Sequence, residues 1–297
     1  MSNFAHKPVL LAEVLATLGP SEGGRMVDGT LGGAGHAEAI LQASQSGWLG
    51  GCDRDGAAIG AALSRLKPYA HRCDLRRGTF AELPEWIEPG SVDGVLLDLG
   101  VSSPQLDHPE RGFSFQHDGP LDMRMDDRQN LTAAEVVNTM DEPRLSSLFW
   151  ELGEERESRK LARGIVRERQ SQHFATTGEL ASLIERLSPR RGRRLHPATR
   201  VFQALRMYVN DEVGLLERGL PAAASLLRPG GRLAVITFHS LEGRIVKAFG
   251  DAASKASPPT LGWVRRKVIQ PGDAELDENP RARSACLRVL QKSQGEP

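Results

Sequence analysis

The segment Val27-Asp28-Gly29-Thr30-Leu31-Gly32-Gly33-Ala34-Gly35-His36 constrains this chain more than any other feature. It follows Arg25-Met26-Val27-Asp28, which predicts a short strand, and it opens a helical pattern from Ala34 to Ser46. Its four glycines permit positive φ and a close approach of backbone to a ligand. The helix start adds unpaired N–H groups and the positive end of a dipole. A pyrophosphate suits that field, and so does the carboxylate of an amino-acid cofactor.

Around this turn the chain alternates. Trp48 to Cys52 predicts a second strand closed by Asp53, Asp55 to Leu66 another helix, and Val92 to Leu97 a buried strand ending at Asp98. Such alternation predicts a parallel, doubly wound α/β sheet. The pattern then changes. Arg111 to Arg128 is irregular, and from Thr132 to about Leu220 only helical patterns occur. Strand signals return at Arg232 to Phe238, after Pro229-Gly230-Gly231, and again at Trp263 to Ile269 and Ala285 to Leu290. The polar stretch from Gln270 to Arg283 reads as a loop, so the last two strands are expected as an antiparallel hairpin. A hundred residues between two strands need a fold of their own. The expected organisation is one discontinuous domain, 1–107 with 206–297, interrupted by a helical insertion over 108–205.

Net charge is zero, which argues against indiscriminate binding to nucleic acid. That average conceals an asymmetry. From Glu110 to Glu155 four arginines stand against eleven acids, a net of −7, and from Arg156 to Arg206 thirteen Lys or Arg stand against four acids, a net of +9. Either the two stretches neutralise each other or the second faces a polyanion. Arg190, Arg191, Arg193 and Arg194, beside His196, form the densest basic cluster and are candidate RNA-phosphate contacts. Arg156, Arg159, Lys160, Arg163 and Arg167 recur at helical spacing, as a solvated face paired with acids or as a further phosphate contact.

The longest apolar runs, such as Val95-Leu96-Leu97, fall far short of a membrane span. The N-terminus shows no signal-peptide pattern. A soluble cytoplasmic protein without a membrane partner is expected. Cys52, Cys73 and Cys286 match neither a zinc spacing nor a disulfide framework, and no metal site is expected.

Asp53 lies 25 positions after Asp28, at the end of the second predicted strand. A carboxylate there accepts both hydroxyls of an adenosine ribose. Nicotinamide dinucleotides and S-adenosylmethionine both satisfy that geometry. The glycines do not fall in Gly-x-Gly-x-x-Gly register from Gly29 or Gly32. Asp28, just before the loop, favours S-adenosylmethionine, because its carboxylate can orient the loop or meet an ammonium group. Asp98 lies just past a buried strand, where open α/β sheets hold ligands, and it is the candidate catalytic residue.

Several longer strings occur in order. They are His6-Lys7-Pro8-Val9-Leu10-Leu11, the Val27 to His36 loop, Leu97 to Asp107, Arg111 to Phe115, Asp118 to Asp126, His196 to Arg200, Phe238 to Glu242 and Asn279 to Ser284. In these the chain resembles the bacterial 16S rRNA cytosine-N4 methyltransferases over most of its length, least at 251–278. The resemblance implies a class I S-adenosylmethionine-dependent methyltransferase fold, Rossmann-like, with a helical insertion that recognises RNA. It implies cofactor contacts at Ala34, Gly35, His36, Asp53, Phe80, Asp98 and Gln105, with Phe80 placed to stack on adenine. The implied reaction methylates N4 of cytidine 1402, in the customary rRNA numbering. The implied partner is small-subunit ribosomal RNA or the small ribosomal subunit, with a homodimer as a further possibility.

Two positions depart from the family pattern. The loop commonly ends Gly-Gly-His where this chain has Ala34-Gly35-His36, which a ligand contact through backbone tolerates provided φ is negative. An Asp commonly follows His-Ser-Leu-Glu, whereas this chain has Gly243, a helix breaker.

A sulfonium methyl needs no metal, so the protein must align an in-line displacement. A cytosine N4 is a poor nucleophile because its lone pair is delocalised. Acceptors for its hydrogens favour a more nucleophilic nitrogen, and one can take the departing proton. Asp98, with backbone carbonyls or the hydroxyls of Ser102 and Ser103, could serve. Alternatively, Asp98 holds only the cofactor. The base must leave its stack to react. Rival readings are a methyltransferase of DNA or of a small molecule, a nicotinamide oxidoreductase, and a non-catalytic RNA-binding assembly factor. The loop register and the long strings disfavour the oxidoreductase, and the ordered Asp53 and Asp98 disfavour a mere binding module.

Overall fold

The computed structural model describes residues 8–189 and 196–294. The chain divides into two compact units, one from Met1–Gly100 and Val213–Pro297, the other from Val101–Glu212.

The first unit is built on seven strands, β1 (Arg25–Asp28), β2 (Trp48–Asp53), β3 (Cys73–Arg77), β4 (Val92–Asp98), β5 (Leu227–Thr237), β6 (Leu261–Trp263) and β7 (Cys286–Lys292). Their order is β3-β2-β1-β4-β5-β7-β6. The first five are parallel, and β7 runs antiparallel to both β5 and β6. This is the class I methyltransferase sheet. Chain order reverses between β1 and β4, and in open α/β sheets ligands sit beyond the strand ends at such a point.

Alternation along the strands divides the core. Val95 and Leu97 of β4 and Val235 of β5 join one cluster with Leu216, Leu220 and Val246. Leu96, Ala234 and Ile236 join another with Val14, Ala37, Ile40 and Ala62. Helices α1 (Leu11–Leu18), α2 (Gly35–Gln42) and α3 (Gly56–Arg65) therefore cover one face. The other face is covered by helices near the C-terminal end, described below. The sheet is buried on both sides, as a parallel sheet must be.

The second unit is helical: α4 (Ser103–Asp107), α5 (Ala133–Thr139), α6 (Glu142–Glu151), α7 (Ser158–Glu168), α8 (Thr177–Leu187) and α9 (Ala198–Val209). Thr132, Asp141 and Thr176 cap α5, α6 and α8 by accepting the N–H of Glu135, Arg144 and Glu179. Val136, Leu145, Phe149, Leu161, Ile165, Leu180, Ile184 and Phe202 form its core. The stretch before α5 is irregular and held by polar contacts. Asn210 accepts the Met125 N–H at 2.8 Å and donates to the Met123 carbonyl at 2.8 Å.

The chain returns to the first unit through α10 (Glu212–Leu226), followed after β5 by α11 (Ser240–Lys255) and, between β6 and β7, α12 (Asp273–Glu278). Leu216 and Leu220 of α10 and Val246 of α11 supply the second sheet face.

Several local expectations are corrected. The predicted strand over Trp263 to Ile269 contracts to Leu261–Trp263, because residues 264–267 are exposed and Ile269 makes only an isolated bridge to Leu287. The expected loop after it contains α12 and a 3-10 turn at Pro280–Ser284. Strand β5 starts at Leu227 and passes through Pro229-Gly230-Gly231, with Gly230 at φ 82° where the register with β4 shifts. Gly243 does not break α11, which runs through it. Helices α1 and α12 carry no clear signal of their own in the sequence.

Candidate active site

The candidate site forms where β1, β2 and β4 end. Asp28, the last residue of β1, is fully buried, and its Oδ1 accepts the Thr30 N–H at 3.0 Å. The loop is tied to its neighbours at four further points. Gly29 N–H donates to the Leu96 carbonyl at 2.9 Å and Leu31 N–H to the Cys52 carbonyl at 3.1 Å. Gly32 N–H donates to Asp53 Oδ2 at 2.8 Å, and the Asp98 N–H donates to Thr30 Oγ1 at 2.7 Å.

Two glycines are required by close approach. A Cβ on Gly29 would lie 2.6 Å from Leu97 and 2.9 Å from Phe80, and a Cβ on Gly35 would lie 2.5 Å from Pro8. Ala34 caps α2 at φ 57°, in the left-handed region, and is buried. The condition under which alanine would be harmless, a negative φ, is therefore not met. The position has the backbone of a glycine and carries the side chain of an alanine.

Asp53 uses both oxygens on backbone. Oδ2 takes Gly32 N–H and Oδ1 takes Asp55 N–H at 2.9 Å. Burial raises its pKa, with those two N–H groups acting the other way. Burial also raises Asp28 to about 6, offset in part by the nearby His36 and the Thr30 N–H.

His36 and Asp98 come together. His36 Nε2 lies 3.6 Å from Asp98 Oδ2, beyond hydrogen-bond length, so charge carries the attraction. Burial works against an imidazolium at His36, but the Asp98 carboxylate, helped by Asp28, outweighs it and raises the pKa. Neither His36 ring nitrogen nor Asp98 Oδ1 has a hydrogen-bond partner among the described residues, although all three atoms are buried. Buried polar groups without partners are uncommon and mark a place where a ligand can supply one.

Phe80 packs against the glycine loop at Gly29. It is buried among Leu83, Leu97 and Leu215, and a Cβ on Gly219 of α10 would lie 2.1 Å from its ring. Gln105 belongs to the second unit, where its Oε1 accepts the Ser102 N–H at 2.9 Å at the start of α4. Arg190, Arg191, Arg193 and Arg194 lie outside the described residues.

Sequence reasoning missed two features. Thr30 joins the loop to β4 through its hydroxyl, and only its place between Asp28 and the glycines hinted at a role. Beyond β5, His239 caps α11 and lies 3.1 Å from the buried Glu242 carboxylate, which also accepts the Phe238 N–H at 2.8 Å.

Comparison with known proteins agrees with this architecture. A family model described as the MraW methylase family matches residues 3–293. "Ribosomal RNA small subunit methyltransferase H" of Stenotrophomonas maltophilia strain K279a is 48% identical over 309 residues, covering 99% of this chain and 95% of its own. The protein of the same name from Magnetococcus marinus is 47% identical, covering 98% of this chain and 99% of its own. That of Geotalea daltonii is 48% identical, covering 98% and 100%. With the glycine loop, the β4 carboxylate and the seven-stranded order in place, these matches over nearly the whole length settle the kinship, and the chain belongs to the MraW methylase family.

Proposed function

We propose that this chain transfers a methyl group from S-adenosylmethionine to N4 of a cytidine in 16S ribosomal RNA of the small subunit, the cytidine at position 1402. The observation that carries this reading is the buried, partnerless Asp98 Oδ1 at the end of β4, beside the glycine loop. The proteins it resembles carry the name of small-subunit rRNA methyltransferases, and a cytoplasmic location accords with such a substrate.

The residues fit the cofactor. Each Asp53 oxygen accepts one backbone N–H and retains a lone pair for a ribose hydroxyl. Glycine at 29 and 35 keeps the loop close to its neighbours, and the first-turn N–H groups of α2 suit a carboxylate. When bound, S-adenosylmethionine supplies an activated methyl on a sulfonium. Asp98 Oδ1 offers an acceptor at the carboxyl edge of the sheet. An acceptor there holds an amino hydrogen of the base, or one of the cofactor, and in the first case it can take the proton that leaves N4. His36 Nε2 faces Asp98 Oδ2 at 3.6 Å and leaves Oδ1 as the carboxylate oxygen without a partner among the described residues. The helical unit, with the arginines at 190, 191, 193 and 194, is the proposed RNA-recognition part.

Labelled-methyl transfer to unmodified small subunits, followed by nucleoside analysis, tests the proposal. The expected product is N4-methylcytidine in 16S rRNA. Label on another nucleoside, on DNA only, or nowhere would overturn it.

A further inference from the structure

The exposed face of α7 carries a charge surplus that the described residues do not neutralise. Leu161, Ala162 and Ile165 bury one side of this helix. Arg159, Lys160, Arg163 and Arg167 are exposed on the other, with Arg156 just before its first turn. Positions 159, 163 and 167 recur at four-residue intervals, about 6 Å apart along the axis.

The acidic stretch that precedes α7 has eleven acids, of which three pair with its own arginines, Glu110 lies beside His108 and Asp118 accepts the N–H groups of Gly119 and Gly178. Asp122 pairs with Arg124, Asp126 with Arg128, and Asp141 with Arg144. Among the described residues one ion pair, Arg163 with Glu142 at 3.4 Å, joins the acidic stretch to the helix. The acids close to α7 are also engaged. Glu157 holds Lys160 at 3.3 Å and accepts a short hydrogen bond from Ser188, and Glu168 holds Arg186 at 2.7 Å. Arg156, Arg159 and Arg167 have no ion-pair partner among the described residues.

Resting on the reading of an RNA substrate, we infer that this face of α7 is a docking surface for the RNA phosphate backbone, with Arg156, Arg159 and Arg167 as direct contacts. A guanidinium matches a phosphate with two parallel N–H donors. The pairs at Lys160 and Arg163 are exposed and therefore weak, so both groups can turn to phosphate when RNA arrives. The contact positions the RNA without reading its bases.

The test compares the full chain with a variant carrying Arg156→Gln, Arg159→Gln and Arg167→Gln. The probe is unmodified 16S rRNA, with affinity measured across a salt series. Each lost phosphate contact flattens the dependence of log K on log salt by about 0.7–0.9, so the slope should fall by about 2–3. The matching triple lysine variant keeps the charge and should restore most of the slope. Arg144→Gln, an exposed arginine on α6 paired with Asp141, should leave it unchanged. S-adenosylmethionine affinity and melting temperature show whether each variant is folded. An unaltered slope in the folded glutamine variant overturns the inference, whether the face then serves an acidic protein or nothing. Methyl transfer by the wild type to small subunits, run alongside, reports on the substrate reading separately.

Discussion

The hydroxyl of Thr30 accepts the backbone N–H of Asp98 at 2.7 Å, across 68 positions of sequence. The bond fixes the end of β4 to the glycine loop, so the backbone that carries the Asp98 carboxylate is held by the Thr30 side chain. Thr30→Val leaves that N–H without a partner, at a cost of about 1–3 kcal/mol. Methyl transfer should fall more than S-adenosylmethionine affinity does, and Thr30→Ser should restore both. Turnover and calorimetry on the two variants check this, and full turnover in the valine variant would remove Thr30 from any positioning role.

Asp98→Asn should lower turnover about 100-fold or more if the carboxylate accepts the N4 proton, since general-base groups contribute on that scale. If cofactor affinity collapses in parallel, Asp98 is mainly a cofactor ligand. The same variant removes the charge that holds up the His36 pKa while burial remains. His36, titrated by NMR, should therefore give up its proton at lower pH than in the wild type.

Asp28 dictates a pH dependence of stability. Its carboxyl has an ordinary pKa of 3.8 and a folded value of about 6, so the folded state holds the proton more tightly. This stabilisation is complete below about pH 4 and is lost as pH rises through about 6, up to about 3 kcal/mol on the linkage scale. His36, also raised, adds a contribution present below its unfolded pKa and lost at higher pH. Asp28→Asn should make the fall in stability between pH 4 and 6 shallower, leaving the contributions of Asp53 and His36, whose pKa values are also raised. Denaturant melts across pH measure this, and an unflattened curve would exclude Asp28 as its source.

Asp53→Ala should weaken S-adenosylmethionine binding by about 1–3 kcal/mol, the scale of a lost charged hydrogen bond. It should also lower the melting temperature of the cofactor-free protein, because Gly32 and Asp55 lose their acceptor. Unchanged affinity by calorimetry would take Asp53 out of the site.

Ala34→Gly relieves a left-handed alanine, worth about 1–2 kcal/mol, against the entropy of a new glycine, about 0.5–1 kcal/mol, and the loss of one buried methyl. Little change or a small gain in stability is expected. Ala34→Val should be strongly destabilising, since a β-branched residue tolerates that φ poorly. Thermal melts of both decide it, and a harmless valine would contradict the backbone conformation.

Much of this was legible in the residues. The strand ends at Asp28, Asp53 and Asp98 follow from short apolar runs closed by a carboxylate, and each falls where expected. The His36–Asp98 pair was not legible, because it depends on β4 lying next to β1 in the sheet. The left-handed φ of Ala34 was hidden for a different reason, since alanine is a poor signal for that conformation. Strand β6 was overextended because Val264 and Ile269 supply strand-like residues that the sheet edge does not use. The fate of the charge asymmetry depended on which acid meets which arginine, and net charge along the sequence does not report that.

The pairing of β4 with β5 has a consequence for biosynthesis. Asp98 and Leu227 are roughly 130 positions apart, which at 5–20 residues per second is about 6–26 s of translation. Throughout that interval β4 emerges with an unpaired edge, the kind of surface that recruits foreign strands. The helical segment between them closes its own core from residues within 113–209. Ribosome-stalled chains long enough to bring residue 212 out of the exit tunnel, but not β5, should therefore protect that segment from protease while residues 1–100 remain open to cutting. The edge becomes safe only when β5 arrives.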